Sequence, residues 1–249
     1  MRKPVMAGNW KMYKTPAETT AFFAKFVPLV AATRGREIVI AAPYVDLSAA
    51  LEATRGSNVE IGAQDVFWEK EGAFTGQVSA DMLKAVGAQW VLVGHSERRQ
   101  YFGESEPDVV RKTQAAIEYN LKPIVCVGER LEERESGRTE EVLGEMFDGG
   151  IAPLTPEQFA KIVIAYEPVW AIGTGKTATP HIAAEAHRFL RKKVAAKFGD
   201  AAAEATRILY GGSVKPDNVK GLMFEEEIDG ALVGGASLDP KSFAAIVNF

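Results

Sequence analysis

The amino-acid sequence predicts a single (β/α)8 barrel, and three observations carry that prediction. Short apolar runs of four or five residues recur eight times along the chain. Helical patterns lie between them, and an alternation of strand and helix indicates βαβ units with a parallel sheet. The length of 249 residues is typical of eight such units closed into one barrel. An open, doubly wound sheet is the alternative that the same alternation allows.

The eight predicted strands are apolar almost throughout, as expected for strands that are buried on both faces. Gly or a polar residue follows most of them, which marks the strand ends. In chain order the strands span residues 4–7, 38–42, 59–63, 90–93, 123–127, 162–165, 207–210 and 230–233.

Two helix starts are explicit in the sequence. Thr15 is a capping residue, followed by Pro16 at the first helical position and by Glu18 three residues after the cap. Thr179 and Pro180 begin a second helix in the same way. An apolar stripe follows each start, formed by Phe22, Phe26 and Val30 in the first helix and by Ile182, Ala186, Phe189, Leu190 and Val194 in the second. No linker or change in composition interrupts the chain, so residues 1–249 are predicted to form one domain.

Composition and charge narrow the class of protein. The net charge of −4 argues against non-specific binding to nucleic acid. No apolar run approaches the roughly 18 residues that a membrane helix needs. The first residues turn polar too early for a signal peptide, and the single cysteine, Cys126, permits no internal disulfide. We therefore expect a cytoplasmic protein that contacts neither nucleic acid nor a membrane.

Polar and charged residues follow the predicted strands at their carboxyl ends. In a parallel barrel these positions share one rim, where active sites form. They include Asn9, Lys11, Gln64, Asp65, His95, Ser96, Glu97, Glu129 and Glu167. A lone His or Glu at a rim is often structural. Together, Lys11, His95 and Glu167 have the chemistry of an anion anchor, an electrophile and a base.

Two glycine pairs indicate a phosphate site. Gly211 and Gly212 precede Ser213 after the seventh strand, and Gly234 and Gly235 follow the eighth. Glycine lets backbone N–H groups approach an anion closely. Either pair alone could serve only a tight turn, but pairs after the last two strands match the usual phosphate site of a barrel.

The segment 173–177 (GTGKT) invites a nucleotide-binding interpretation, which fails. A P-loop requires Gly at position 170, where this chain has Trp170. The small residues that follow Glu167 suit instead a lid that closes over a substrate, although an ordinary glycine loop would have the same composition.

Three other chemistries are not favoured by the sequence. Neither segment 94–98 nor segment 211–215 completes a Gly-x-Ser-x-Gly elbow. His181 and His187 are six residues apart and do not share a helical face, so we expect surface residues and no metal site. Cys126 lies within an apolar strand, which favours packing over nucleophilic catalysis.

Five segments resemble the signatures of the triosephosphate isomerase family, collinearly over the whole chain. They are residues 9–11 (NWK), 94–99 (GHSERR), 165–175 (AYEPVWAIGTG), 210–214 (YGGSV) and 233–237 (VGGAS). Other phosphate-binding barrels share the glycine turns but not the run from 166 to 175. The resemblance implies a TIM barrel without a cofactor that interconverts dihydroxyacetone phosphate and D-glyceraldehyde 3-phosphate in glycolysis and gluconeogenesis.

The resemblance also implies roles for individual residues. Glu167 would be the base and His95 a neutral electrophile, with the pKa of Glu167 raised once the lid excludes water and the proton affinity of His95 lowered by a short helix over 96–102. Glu97 would support Lys11, and residues 168–178 would form the lid. The implied substrate-binding residues are Asn9, Lys11, Gly173, Ser213, Gly234 and Gly235.

The loop over 64–77 resembles the one that docks into a second subunit in this family, which implies a homodimer. It carries Phe67, Trp68, Phe74 and Thr75, and its Asp65 stands where many relatives have Asn. We expect that variation to affect only the interface. Two rival functions are compatible with the phosphate site: another phosphate-binding barrel enzyme, which would not need His95 with Glu167, and a non-catalytic phosphosugar-binding barrel, which would need no base.

Overall fold

The computed structural model describes residues 2–172 and 178–249. Within these residues eight parallel strands pair in chain order, and the last pairs with the first, which closes a barrel. The predicted (β/α)8 barrel is confirmed, and the open-sheet alternative is wrong. The strands are β1 (Val5–Asn9), β2 (Glu37–Ala42), β3 (Val59–Ala63), β4 (Trp90–Val93), β5 (Lys122–Val127), β6 (Val163–Tyr166), β7 (Ile208–Tyr210) and β8 (Gly230–Val233).

Helices connect the strands on the outside of the barrel. They are α1 (Pro16–Val30), α2 (Leu47–Ala53), α3 (Ala80–Val86), α4 (Ser96–Phe102), α5 (Glu106–Glu118), α6 (Leu131–Glu135), α7 (Thr139–Gly150), α8 (Pro156–Phe159), α9 (Pro180–Phe198), α10 (Asp200–Ala205), α11 (Val219–Met223) and α12 (Pro240–Val247). Short 3-10 turns span Tyr44–Asp46, Val169–Ala171 and Gly235–Leu238. No helix within the described residues is long and apolar enough to cross a membrane.

The predicted strands agree with the structure except at some ends. β1 continues to Asn9 because Gly8 and Asn9 still pair with Ile40 and Ala41 of β2. The sequence placed its end at Ala7, since a glycine followed by a polar residue is typical of a strand end. Gly8 is required there: a Cβ would come within 2.9 Å of both the Ile40 and Ser237 side chains.

Both predicted helix starts are confirmed. The Thr15 hydroxyl accepts a hydrogen bond from the Glu18 N–H, and the Glu18 carboxylate accepts one from the Thr15 N–H at 2.8 Å. The Thr179 hydroxyl accepts from the Ile182 N–H at 3.2 Å. The buried members of the two predicted stripes are Phe22, Phe26 and Val30 in α1 and Ala186, Leu190 and Val194 in α9.

The apolar core divides into two clusters. One fills the barrel with alternate strand residues and contains Val39, Trp90, Ile124 and Cys126. The other lies between the strands and the surrounding helices. Cys126 is fully buried, so the packing role expected for it agrees with its position. The filled interior leaves the rim at the strand ends as the place for a ligand.

The prediction that His187 lies on the surface is wrong. It lies on the inner face of α9 and is fully buried, because it falls on the same helical face as Leu190 and Val194. Its Nδ1 lies 3.0 Å from the Glu227 carbonyl oxygen, and its ring packs edge-on against Tyr166. Burial lowers the pKa of His187 to about 3, so the ring is neutral. His181 is exposed, as expected.

Candidate active site

The carboxyl ends of β1, β4, β6, β7 and β8 surround a cavity of about 370 Å³. The predicted site residues that line it are Asn9, Lys11, His95, Glu167, Ser213, Gly234 and Gly235. Gly173, the remaining predicted contact, lies outside the described residues. Seven residues that are up to 226 positions apart in sequence therefore meet at one rim, as the strand ends predicted.

His95 lies two positions after the end of β4 and is the N-cap residue of α4. Its Nδ1 accepts a hydrogen bond from the Glu97 backbone N–H at 3.2 Å. The ring proton of the neutral imidazole must then be on Nε2, because Nδ1 uses its lone pair. Nε2 lies 2.9 Å from Glu167 Oε1 and donates to it. The start of α4 therefore fixes both the orientation and the tautomer of this histidine.

Glu167 follows β6 and is almost completely buried. Its Oε2 accepts a hydrogen bond from the Ser96 backbone N–H at 3.0 Å, while Oε1 faces His95. Two glycines make room for it. A Cβ on Gly128 would collide with the Glu167 carbonyl group, and one on Gly211 would come within 2.9 Å of its Cγ. No sequence motif marks Gly128. A glycine is required there because β5 and β6 are neighbours, which brings the Glu167 backbone against it.

The pKa values of this pair shift in directions opposite to those expected for the closed enzyme. Burial raises the pKa of Glu167, but His95 and the Ser96 N–H outweigh it and lower the pKa. Burial lowers the pKa of His95, and the Glu167 carboxylate more than offsets this, so the net shift is upward. The Glu97 N–H opposes protonation of Nδ1. A raised pKa for Glu167 requires its release from both donors, and it stays a prediction for the closed, substrate-bound state.

Lys11 is held in an uncommon backbone conformation, with φ of 53°. Two side chains clamp the flanking peptide groups: Asn9 Oδ1 accepts from the Lys11 N–H at 2.9 Å, and Gln64 Nε2 donates to the Lys11 carbonyl at 2.8 Å. The Lys11 ammonium donates to Glu97 Oε1 at 2.6 Å, which agrees with the predicted contact. The strained backbone aims one cation into the cavity.

The glycine pairs form the wall beside Lys11. A Cβ on Gly212 would collide with the Tyr210 hydroxyl, so only glycine fits. Gly235 begins the 3-10 turn Gly235–Leu238, and a Cβ on Gly234 would lie 3.6 Å from Lys11 Cε. The cavity thus has a carboxylate and an imidazole on one side and glycine turns with an ammonium on another. No group of three or more residues in the described part of the chain could hold a metal ion.

Comparison with known proteins decides the family. The family model described as triosephosphate isomerase matches residues 4–249. The chain belongs to the triosephosphate isomerase family. Proteins named triosephosphate isomerase from Solibacter usitatus and Citrifermentans bemidjiense are 67% and 56% identical to it over all 249 residues, which cover 100% and 99% of those proteins. One from Caldanaerobacter subterraneus subsp. tengcongensis is 50% identical over the full length of both chains.

A buried carboxylate with no role predicted from the sequence contacts the start of the predicted lid. Glu129 is fully buried, and its Oε1 accepts from the Trp170 indole N–H at 2.9 Å and from the Tyr166 hydroxyl at 3.1 Å. The Val169 N–H donates to the Glu129 carbonyl. The predicted lid begins here, but its residues 173–177 lie outside the described residues.

The loop over 64–77, which is predicted to dock into a second subunit, packs two of its three large aromatic rings within the single chain. Phe67 and Trp68 are half-buried and pack on each other, and Phe67 packs on Phe74 with ring centroids 4.7 Å apart. Arg111 covers the Trp68 ring. Only Phe74 of the three is exposed, at 41%. Stacking within the loop, which has no periodic signature in sequence, partly shields the other two rings from solvent.

Asp65 also has a larger role than the interface variation that was expected. It is buried, and it lies 2.6 Å from the Lys112 ammonium and 2.9 Å from the Arg98 guanidinium. Glu104 contacts the same two cations and accepts from the Gly94 N–H at 2.8 Å. This four-charge network ties the base of the loop to α4, the helix that His95 caps.

Proposed function

We propose that Glu167 and His95 carry out the isomerase reaction of the family, the interconversion of dihydroxyacetone phosphate and D-glyceraldehyde 3-phosphate. The activity follows from full-length membership of the family. The assignment to these residues rests on one observation. A buried carboxylate and an imidazole lie 2.9 Å apart in the cavity that also contains Lys11 and the glycine turns.

The existing hydrogen bonds suggest the order of events. Both carboxylate oxygens of Glu167 are occupied, by His95 Nε2 and by the Ser96 N–H. Glu167 must leave both donors to reach a substrate carbon, and it then takes a proton from one carbon and returns it to the neighbour through an enediolate. Its departure frees the His95 Nε2–H to donate to the substrate oxygens, where negative charge develops.

The other residues hold the phosphate and the developing charge. Lys11 supplies positive charge next to Gly234, and the backbone N–H groups of Ser213, Gly234 and Gly235 bind the phosphate, with Asn9 contacting substrate and supporting Lys11. Gly173 in the lid would complete the phosphate site. The chemistry is a proton transfer within one substrate, so we propose that it needs neither a metal nor a cofactor.

Conversion of Glu167 to Gln tests the assignment, because it keeps the shape and removes the base. We expect kcat to fall by about 10²–10⁴, the usual contribution of a general base. The matched control is Glu185→Gln, an exposed carboxylate of α9 that pairs with His181. Both proteins are compared in a coupled isomerase assay, with circular dichroism to confirm folding. Activity of Glu167→Gln within threefold of the control would remove Glu167 from the mechanism.

We propose that the enzyme works in the cytoplasm, in glycolysis and gluconeogenesis, without contact with nucleic acid or membranes. The net charge of −4 and the absence of a membrane-spanning helix among the described residues support this. We also propose one domain over 1–249, supported by the pairing of β1 with β8 across nearly the whole chain.

We further propose a homodimer through the loop that carries Phe67 and Thr75. A slot of about 200 Å³ beside the catalytic cavity is lined by Met12, Asp65, Arg98 and Phe102, among others. Met12 and Phe102 are 94% and 70% exposed in the single chain. Large apolar side chains grouped around a slot favour burial by a partner.

A further inference from the structure

A second cavity, of about 630 Å³, lies at the amino-terminal end of the barrel. Lys3 precedes β1, residues 31–37 lead into β2, and residues 55–60 lead into β3. The catalytic residues follow the opposite ends of the strands. A five-residue strand spans roughly 16 Å, so the two cavities are separate sites.

Cations dominate the wall of this cavity. Lys3, Arg34, Arg36 and Arg55 line it, and of these Arg55 forms a surface ion pair with Glu52. A chain of net charge −4 has no general excess of cations, so a cluster of four is a local feature.

The two carboxylates of the wall are already engaged by cations outside it. Glu37 pairs with Arg207 and with Lys122. Glu60 accepts from the Lys122 ammonium at 3.1 Å and from the Trp90 indole N–H at 2.5 Å. They therefore do little to neutralise the arginines.

The two central arginines are fixed by neutral groups. Arg34 donates to the carbonyls of Ala31 and Thr33, at 2.7 and 2.9 Å. Arg36 donates to the Val247 carbonyl at 2.5 Å and lies over the Phe249 ring. Within residues 2–172 and 178–249 neither has an acidic partner. Carbonyls orient a guanidinium without cancelling its charge, and its remaining N–H groups suit phosphate oxygens.

Arg36 is partly buried and has no acidic partner among the described residues. The partial burial lowers the pKa of its guanidinium. Gly35 and Gly56 also line the cavity, with left-handed φ of 79° and 76°, and no atom lies within 4 Å of a Cβ added to either. The approach to the arginines is therefore open.

We propose that this cavity binds a linear polyphosphate chain. Among the described residues Lys3, Arg34 and Arg36 have no acidic partner, and three such cations suit a ligand with several negative charges. The volume is far larger than one phosphate group needs. The lining contains no aromatic side chain on which a nucleobase could stack, and Arg36 already covers the nearby Phe249 ring. The phosphate chain itself is thus the recognised group, whether it is free or part of a nucleotide.

Calorimetric titration with inorganic tripolyphosphate tests the proposal on the full chain, at low ionic strength and with saturating equilibrated triose phosphate to fill the catalytic cavity. We expect one site per chain, with orthophosphate binding at least tenfold more weakly. Arg34→Gln should weaken tripolyphosphate binding at least fivefold without changing isomerase activity. Arg34 is exposed and donates to the nearby carbonyls of Ala31 and Thr33, so this variant is expected to fold.

The matched control is Arg138→Gln, an exposed arginine that pairs with Glu141 outside the cavity and should change binding less than twofold. Arg36→Gln provides a second variant with the same expected loss. An equal loss in Arg138→Gln would reveal diffuse attraction and overturn the proposal, as would absence of binding when the catalytic cavity is filled. ATP binding more than tenfold tighter than tripolyphosphate would also overturn it, because a base would then be recognised.

Discussion

Lys11 shows how much a single side chain depends on contacts that are distant in sequence. Asn9 and Gln64 hold its backbone at φ of 53°, and Glu97 holds its ammonium at 2.6 Å. The sequence predicted Lys11 as an anchor because it follows the first strand. It could not predict the strained backbone, which depends on Gln64 from another strand end.

Lys11→Met should weaken substrate binding and turnover together. The ammonium serves the phosphate substrate and the negative enediolate, so its charge acts in the ground state and in the transition state. We expect KM to rise and kcat to fall, each by at least tenfold. Lys215→Met is the control, because Lys215 lines the same cavity but is exposed. Unchanged KM and kcat in a folded Lys11→Met protein would contradict the anchor role.

The buried charges around Asp65 give a stability prediction. Lys112 lies 2.6 Å from both Asp65 and Glu104, and all three side chains are almost inaccessible. In Lys112→Met, two buried carboxylates would share Arg98 alone, so we expect a loss of about 3–5 kcal/mol in the free energy of unfolding. Urea denaturation measures it. Lys193→Met removes a surface pair with Asp148 and should cost less than about 1 kcal/mol. Equal losses would show that the network adds nothing beyond a surface pair.

At the scale of elements, strands and capped helices were the most predictable features. A strand buried on both faces leaves an apolar run, and a cap such as Thr15 with Glu18 leaves a local pattern, so both can be read from neighbouring residues. The inward position of His187 was missed although it lies three and seven positions before Leu190 and Val194 of the predicted stripe, because a histidine was expected to face solvent. Its edge-on packing against Tyr166 has no pattern in the sequence. The stacking of Phe67 on Trp68 was missed for a similar reason.

Deletion of residues 172–175 tests the predicted lid. Glu129 holds Trp170 and Val169 on the near side of the deletion, so Glu167 and His95 should keep their places. Isomerisation should slow because a phosphate contact is lost and water enters the site. The enediolate that still forms should eliminate phosphate in a larger share of turnovers. The measured quantity is the ratio of inorganic phosphate and methylglyoxal to aldehyde formed, and an unchanged ratio in a folded protein would rule out a gating role.

At the scale of the whole molecule, the sequence predicted the barrel because eight strand–helix units leave few other ways to bury every strand. It also predicted that the site residues would meet, since parallel strands end at one rim. The direction of the pKa shifts was not predictable in this way. It depends on where the Glu167 carboxylate rests, and a contact with the Ser96 N–H has no sequence signature.

The proposed homodimer predicts the mass of the protein in solution. Met12, Phe102 and Phe74 are large apolar side chains that the single chain leaves exposed, and the first two line the slot beside the active site. A partner loop that places Phe74 near that slot would bury apolar surface on both sides, and twofold symmetry would repeat the contact. Sedimentation equilibrium at micromolar concentration should therefore give about 54 kDa, twice the chain mass of 27.0 kDa.

Phe74→Asp should shift this equilibrium towards monomers, because a charge cannot be buried against an apolar slot without a partner. The matched control is Phe224→Asp. Phe224 is 92% exposed, more than Phe74 at 41%, but it follows α11 and does not line the slot. If exposure alone caused association, Phe224→Asp would dissociate the protein at least as well. A parent protein that sediments as a stable 27.0 kDa monomer, or a Phe74→Asp protein that remains fully dimeric, would refute the proposed interface.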